Sequence, residues 1–131
     1  MLPLQTYIVE DSPVILENLV EALEEMAAVK VIGSAADERS AVRWLDESHP
    51  PCDLMIIDIF LKSGSGLGVL RAAARSPAAM KRVVLTNYAT PDMRNICRDL
   101  GADRVFDKSS ELESLIAYCG TLAERADGVD S

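Results

Sequence analysis

The sequence has a single histidine, His49, and three widely spaced cysteines, Cys52, Cys97 and Cys119. One histidine excludes any site that needs two imidazoles. His49 precedes Pro50-Pro51 in a loop and reads as a bystander. Three thiols, an odd number, fit neither a disulfide framework nor a zinc cluster. They read as reduced, mostly buried residues of a cytoplasmic protein. Basic residues are also scarce: 13 Lys and Arg stand against 21 Asp and Glu, a net charge of −8, with no basic run. Nucleic-acid binding needs clustered Lys and Arg for phosphate contacts, so that partner is not expected. Anionic membrane surfaces are disfavoured for the same reason. No apolar stretch approaches the ~20 residues that span a bilayer. The opening MLPLQTYIVED lacks the basic and apolar regions of a secretory signal.

What is present is an alternation. The 131 residues, 49% hydrophobic and 26% charged, suit one globular domain. Short apolar runs at Thr6–Val9, Val29–Ser34, Leu54–Ile57, Val83–Leu85 and Arg104–Phe106 read as strands. Between them, 13–26, 38–48, 66–75, 91–100 and 111–125 read as helices. In the first, Leu16, Leu19, Val20 and Leu23 form an apolar stripe, while Glu17, Asn18, Glu21, Glu24 and Glu25 face away. Asp37, Thr90-Pro91 and a Ser110/Glu113 capping box are expected at helix starts, and Leu100-Gly101 at a stop. Residues 126–131 read as a frayed tail. Five strand–helix units imply an α/β fold, a parallel sheet with helices on both faces and right-handed crossovers. Ligands of such sheets sit beyond the carboxyl ends of the strands.

Those ends carry the chemistry. The first strand runs into Glu10 and Asp11, the third into Asp58, the fourth into Thr86 and the fifth into Lys108. Adjacent like charges such as Glu10 and Asp11 call for a cation, a proton or open water. Hard oxygen donors from Glu10, Asp11 and Asp58, with a carbonyl and waters, suit Mg²⁺. An oxygen of Asp58 left over could attack a phosphoryl group in line and form an aspartyl phosphate. Lys108 would then balance phosphoryl charge and the Thr86 hydroxyl would donate to a phosphoryl oxygen.

The stretches YIVEDSP, LMIIDIFLKSGSG, VVLTNYA and GADRVFDK, in this order, resemble the receiver domain of two-component response regulators over residues 5–124. The resemblance implies a flavodoxin-like (βα)5 fold with strand order 2-1-3-4-5. It implies phosphoryl transfer from a histidine kinase or phosphotransfer protein to Asp58, with Mg²⁺ as cofactor and Mn²⁺ as a substitute. Glu10, Asp11, Asp58 and the main-chain carbonyl of Phe60 would hold the metal. Thr86 would be the switch hydroxyl, Lys108 the phosphate-binding lysine and Gly66 the glycine after the acceptor loop. A downstream protein target would read the state. Because the chain ends just after the fifth helix, a domain standing alone is expected.

The sequence departs from the family pattern at several points. Lys62 and Ser109 stand where prolines are usual, so no cis peptide is expected after Lys108. Asn87 stands where a small residue is common. Val105 replaces the usual aromatic three residues before the lysine, and Phe106 should point to the opposite face. Tyr88 is the candidate reporter in its place. Phe60 and Tyr88 would flank the phosphoryl site, and their bulk motivates an expectation of slow self-dephosphorylation.

Alternative readings are a phosphorelay intermediate or phosphate sink, an aspartate-nucleophile phosphohydrolase, and a docking module that has lost phosphorylation. Such hydrolases carry a second acid two residues after the nucleophile, where this chain has Phe60. The complete set of acids, hydroxyl and lysine argues against loss of phosphorylation. A flavin site would need a Ser/Thr-rich phosphate loop where Glu10 and Asp11 lie. No small-molecule turnover is expected.

Overall fold

The computed structural model describes residues 3–76 and 80–128. Strands β1 (Leu4–Val9), β2 (Val29–Ala35), β3 (Leu54–Ile57), β4 (Lys81–Thr86) and β5 (Arg104–Asp107) alternate with helices α1 (Pro13–Met26), α2 (Glu38–Asp46), α3 (Gly66–Arg75), α4 (Pro91–Asp99) and α5 (Leu112–Gly128). All strand pairs are parallel, in the order β2-β1-β3-β4-β5. This is the expected flavodoxin-like topology.

Side chains that alternate along each strand feed two cores. Tyr7, Val9, Met55, Ile57, Val84 and Val105 pack with Leu45 of α2, Val69 and Leu70 of α3 and Cys97 of α4. Leu4, Ile8, Leu54, Ile56, Val83, Leu85 and Phe106 pack with Leu19 and Leu23 of α1 and Leu115 and Cys119 of α5. Val105 and Phe106 therefore serve opposite faces, as their adjacency requires. Cys52, Cys97 and Cys119 are free and buried. Among the described residues no helix is long and apolar enough to cross a membrane.

The helix starts follow their side chains. Ser12, Asp37, Ser65 and Thr90 each accept a backbone N–H from the first turn of their helix, an arrangement worth about 1 kcal/mol apiece. Gly101, at φ +104°, follows Leu100 at the end of α4. The bonds described before α5 centre on the side chains of Asp107 and Glu111 rather than on those of the expected Ser110/Glu113 pair. Asp107 Oδ1 accepts the N–H groups of Ser109 and Ser110, and Glu111 Oε1 accepts that of Asp107. The stretch read as a tail is helical to Gly128; residues 129–131 lie outside the described residues.

His49 is more than a bystander. Its ring stacks on Trp44 at 4.0 Å, and Trp44 stacks in turn on Tyr7 at 3.9 Å. The stack closes the α2 side of β1 at the point where the β1–β2 register shifts between Thr6 and Tyr7. Opposite that shift, a Cβ on Gly33 would meet the Tyr7 ring at 3.0 Å.

Candidate functional site

Glu10 and Asp11 follow β1, Asp58 follows β3, and Lys108 follows β5, so the parallel sheet delivers all four to one edge. Glu10 is 3% exposed and Asp58 8%. Burying a carboxylate is costly without hydrogen-bond and ion-pair partners, and the partners are present. The Lys108 ammonium donates to Glu10 Oε1 and, at 3.0 Å, to Asp58 Oδ2. The second Glu10 oxygen accepts the Ser12 N–H at 3.0 Å, and Asp58 Oδ1 accepts the Phe60 N–H at 3.3 Å. Burial alone would pull the Lys108 pKa down, but the bonds to Glu10 and Asp58 outweigh it and leave it raised. Asp11, more open to solvent, accepts the Lys62 N–H at 2.7 Å. Glu10, Asp11 and Asp58 each present an oxygen within 4.8 Å of the others. Three hard carboxylate donors at that spacing fit a divalent cation of the Mg²⁺ type.

The loop after Asp58 is held tightly. Gly66 donates its N–H to the Ile59 carbonyl at 2.9 Å, and a Cβ at this position would lie 2.0 Å from the Asp58 carbonyl oxygen. Gly64 has φ +79°, the left-handed region that glycine enters freely. Glu38 of α2 covers this turn: its Oε1 accepts the Ser65 N–H at 2.8 Å, and its N–H reaches the Ser63 carbonyl at 3.3 Å. Two carboxylates from neighbouring segments, Asp11 and Glu38, thus fix the loop through its backbone.

Thr86 is fully buried at the end of β4. Its hydroxyl accepts the Tyr88 N–H at 3.2 Å, and its carbonyl accepts the Lys108 N–H at 2.8 Å. A cavity of about 170 Å³ opens over the acids, lined by Glu10, Asp11, Ser12, Ile15, Asp58, Phe60, Asn87, Tyr88 and Lys108. Thr86 is not among its lining residues; its neighbour Asn87 is. Phe60 and Tyr88, 50% and 61% exposed, meet edge to face at 4.9 Å on the rim. The structure therefore brings Glu10, Asp11, Asp58 and Lys108 together, puts Phe60 at the mouth and keeps Thr86 behind the wall. Asn87, in sequence only a departure from the family pattern, lines the cavity because its place directly after Thr86 puts it at the end of β4.

Chemically, the arrangement offers a cation seat, an aspartate beside it and an ammonium that can follow developing negative charge. A sequence model of the response regulator receiver domain matches residues 6–119. The chain belongs to the response regulator receiver domain family. Receiver domains are signalling domains. The nitrate/nitrite response regulator protein NarP of Escherichia coli is 30% identical over 87% of this chain and 52% of its own length. A protein-glutamate methylesterase/protein-glutamine glutaminase of Myxococcus xanthus is 33% identical over 65% of this chain and 24% of its own length. The chain thus spans about half or less of these curated relatives. In the CheX–CheY–BeF3–Mg²⁺ complex of Borrelia burgdorferi, a chain of the same fold superposes with a TM-score of 0.78 at 19% identity, covering 88% of this chain and 86% of that one.

Proposed function

We propose that this receiver is a phosphoryl-accepting switch in which Asp58 is the acceptor and a phosphohistidine, on a histidine kinase or phosphotransfer protein, is the donor. A carboxylate oxygen of Asp58 forms the new O–P bond as the N–P bond of the donor breaks and the imidazole nitrogen keeps the electron pair. Glu10, Asp11, Asp58 and the Phe60 carbonyl would hold Mg²⁺, or Mn²⁺ in its place. When bound, the cation offsets negative charge on the phosphoryl oxygens.

The chain's own groups do the rest. Lys108, already 3.0 Å from Asp58, transfers its hydrogen bond to a phosphoryl oxygen without leaving its turn. Asp11 and Glu38 hold the acceptor loop so that Asp58 needs little reorganisation. The Thr86 hydroxyl releases the Tyr88 N–H and turns toward the phosphoryl group, and its loop follows. A protein target that binds one of the two arrangements better reads the change. With a kinase as donor, the domain works in the cytoplasm.

The observation that carries this reading is the convergence of three carboxylates on one point, with Lys108 bridging two of them. A hydrolase reading is disfavoured because Phe60 occupies the place of the second acid and its ring is packed on Tyr88. Labelled acetyl phosphate with Mg²⁺ tests the proposal. Wild-type protein should take up an acid-stable, base-labile label, and Asp58→Asn should not. Equal labelling of the two proteins, or none in the presence of ample metal, refutes it.

A further inference from the structure

The guanidinium of Arg94, on the first turns of α4, meets three acceptors from three segments. Nε donates to the Ala89 carbonyl at 3.0 Å, Nη1 to the Val105 carbonyl at 2.8 Å and Nη2 to Glu111 Oε1 at 2.7 Å. Ala89 closes the loop that starts at Thr86. Val105 lies in β5. The same Glu111 oxygen accepts the Asp107 N–H at 2.9 Å, and Asp107 is followed by Lys108. The contacts therefore run unbroken from the loop behind the Thr86 hydroxyl to the turn that carries the site's ammonium. A planar guanidinium holds its partners at fixed spacing and direction, which a lysine cannot do.

We infer that Arg94 is a positioning residue, a clamp that holds the 87–89 loop in its resting arrangement and must yield when Thr86 turns to the acceptor site. The inference rests on the phosphoryl-switch reading above. Two observations set its direction. In the arrangement described, the Thr86 hydroxyl is engaged with its own loop through the Tyr88 N–H, and Tyr88 is 61% exposed. Ala89, one residue further, is fixed by Arg94 to β5 and Glu111. Turning Thr86 toward Asp58 drags the loop and strains the Ala89–Arg94 bond. Ligands of the phosphoryl site therefore work against the clamp, and loosening it raises the competent fraction.

Beryllofluoride, titrated calorimetrically at saturating Mg²⁺, tests this. Arg94→Met should bind beryllofluoride about fivefold tighter than wild type or more, the lower end of ordinary coupling. Arg94→Lys, which keeps the charge and loses the fork, should also bind tighter. Glu111→Gln should move the same way by less, and the Arg94→Met, Glu111→Gln double variant should fall short of the product of the single effects. Mg²⁺ affinity without beryllofluoride should stay unchanged in all of them. A purely structural role predicts lower stability with equal or weaker binding, and loss of a nearby positive charge predicts weaker binding of the anion. Tighter binding separates the clamp from both. Unchanged or weaker beryllofluoride binding in the Arg94 variants, beside a wild type that binds, overturns the clamp and leaves the switch reading standing. Failure of the wild type to bind overturns both. Should the Arg94 variants not fold by circular dichroism, Glu111→Gln decides alone, and unchanged binding there overturns the inference.

Discussion

Gly66 presses its α-carbon against the main-chain carbonyl of Asp58, so closely that a β-carbon would lie 2.0 Å from that oxygen. The contact is backbone against backbone, and neither side can swing aside. Gly66 also opens α3 and ties its N–H to Ile59. Helix, loop and acceptor are therefore one rigid unit. Gly66→Ala should cost about 3 kcal/mol or more, the upper range for forced overpacking. The urea midpoint should fall accordingly, and phosphoryl uptake per folded molecule should fall with it because Asp58 is displaced. A variant with wild-type stability would show that the loop has slack it is not expected to have.

Lys108 stands where Glu10 and Asp58 would otherwise face each other buried and unpaired. Lys108→Met leaves three acids with no cation. Removing one partner of a buried pair costs about 3–5 kcal/mol. A divalent ion that binds the folded state alone should return part of that stability by mass action. In EDTA the variant should unfold well below wild type, and millimolar Mg²⁺ should narrow the gap. An equal gap with and without Mg²⁺ would count against a cation seat among these acids.

Phe60 and Tyr88 touch edge to face over the mouth of the acid cavity, yet both are half exposed or more. Rings that are not needed for the core can be truncated with little loss of stability. If they screen an aspartyl phosphate from water, the Phe60→Ala, Tyr88→Ala double variant should lose its label several-fold faster than wild type. The Phe60 carbonyl remains, so metal binding should not change. Decay rates that match would remove the basis for a shielded phosphoryl group.

The gathering of Glu10, Asp11, Asp58 and Lys108 was legible in the sequence because it follows from strand polarity, whereas the order of the strands rested on the resemblance to receiver domains. Parallel strands put every carboxyl end on one edge, and a residue directly after an apolar run must sit there. Val105 and Phe106 were assigned to opposite faces by the two-residue period of a strand. The Arg94 clamp was not legible, since its acceptors are two backbone carbonyls and a glutamate brought together by packing, and carbonyls leave no trace in residue type. The Trp44–His49 stack escaped for a similar reason: a ring in a Pro-flanked loop shows nothing of the surface it covers. At α5 the local signal was misleading. Ser110 and Glu113 have capping-box spacing, but Asp107 and Glu111 organise the turn because Arg94 already fixes Glu111.

Glu111 gives that last arrangement a pH signature. The hydrogen bond from Arg94, helped by the Asp107 N–H, holds its carboxyl below the ordinary glutamate range. A carboxyl whose folded pKa is depressed contributes stability that is present above its unfolded pKa, about 4.3. That contribution drains as pH falls through the lower folded value. Asp107 is depressed in the same direction, chiefly by the Ser109 hydroxyl and N–H, so it adds to the slope in the same acid window. Glu111→Gln removes one of the two titrating groups. It should lower the urea midpoint at pH 7 and flatten the fall between pH 5 and 3, so that the two curves converge in acid. The effect should be modest, because Glu111 is about one-third exposed and solvent screens the pair. Curves that stay parallel down to pH 3 would mean that the Arg94–Glu111 bond does not persist in solution, and the clamp would lose its anchor on the α5 side.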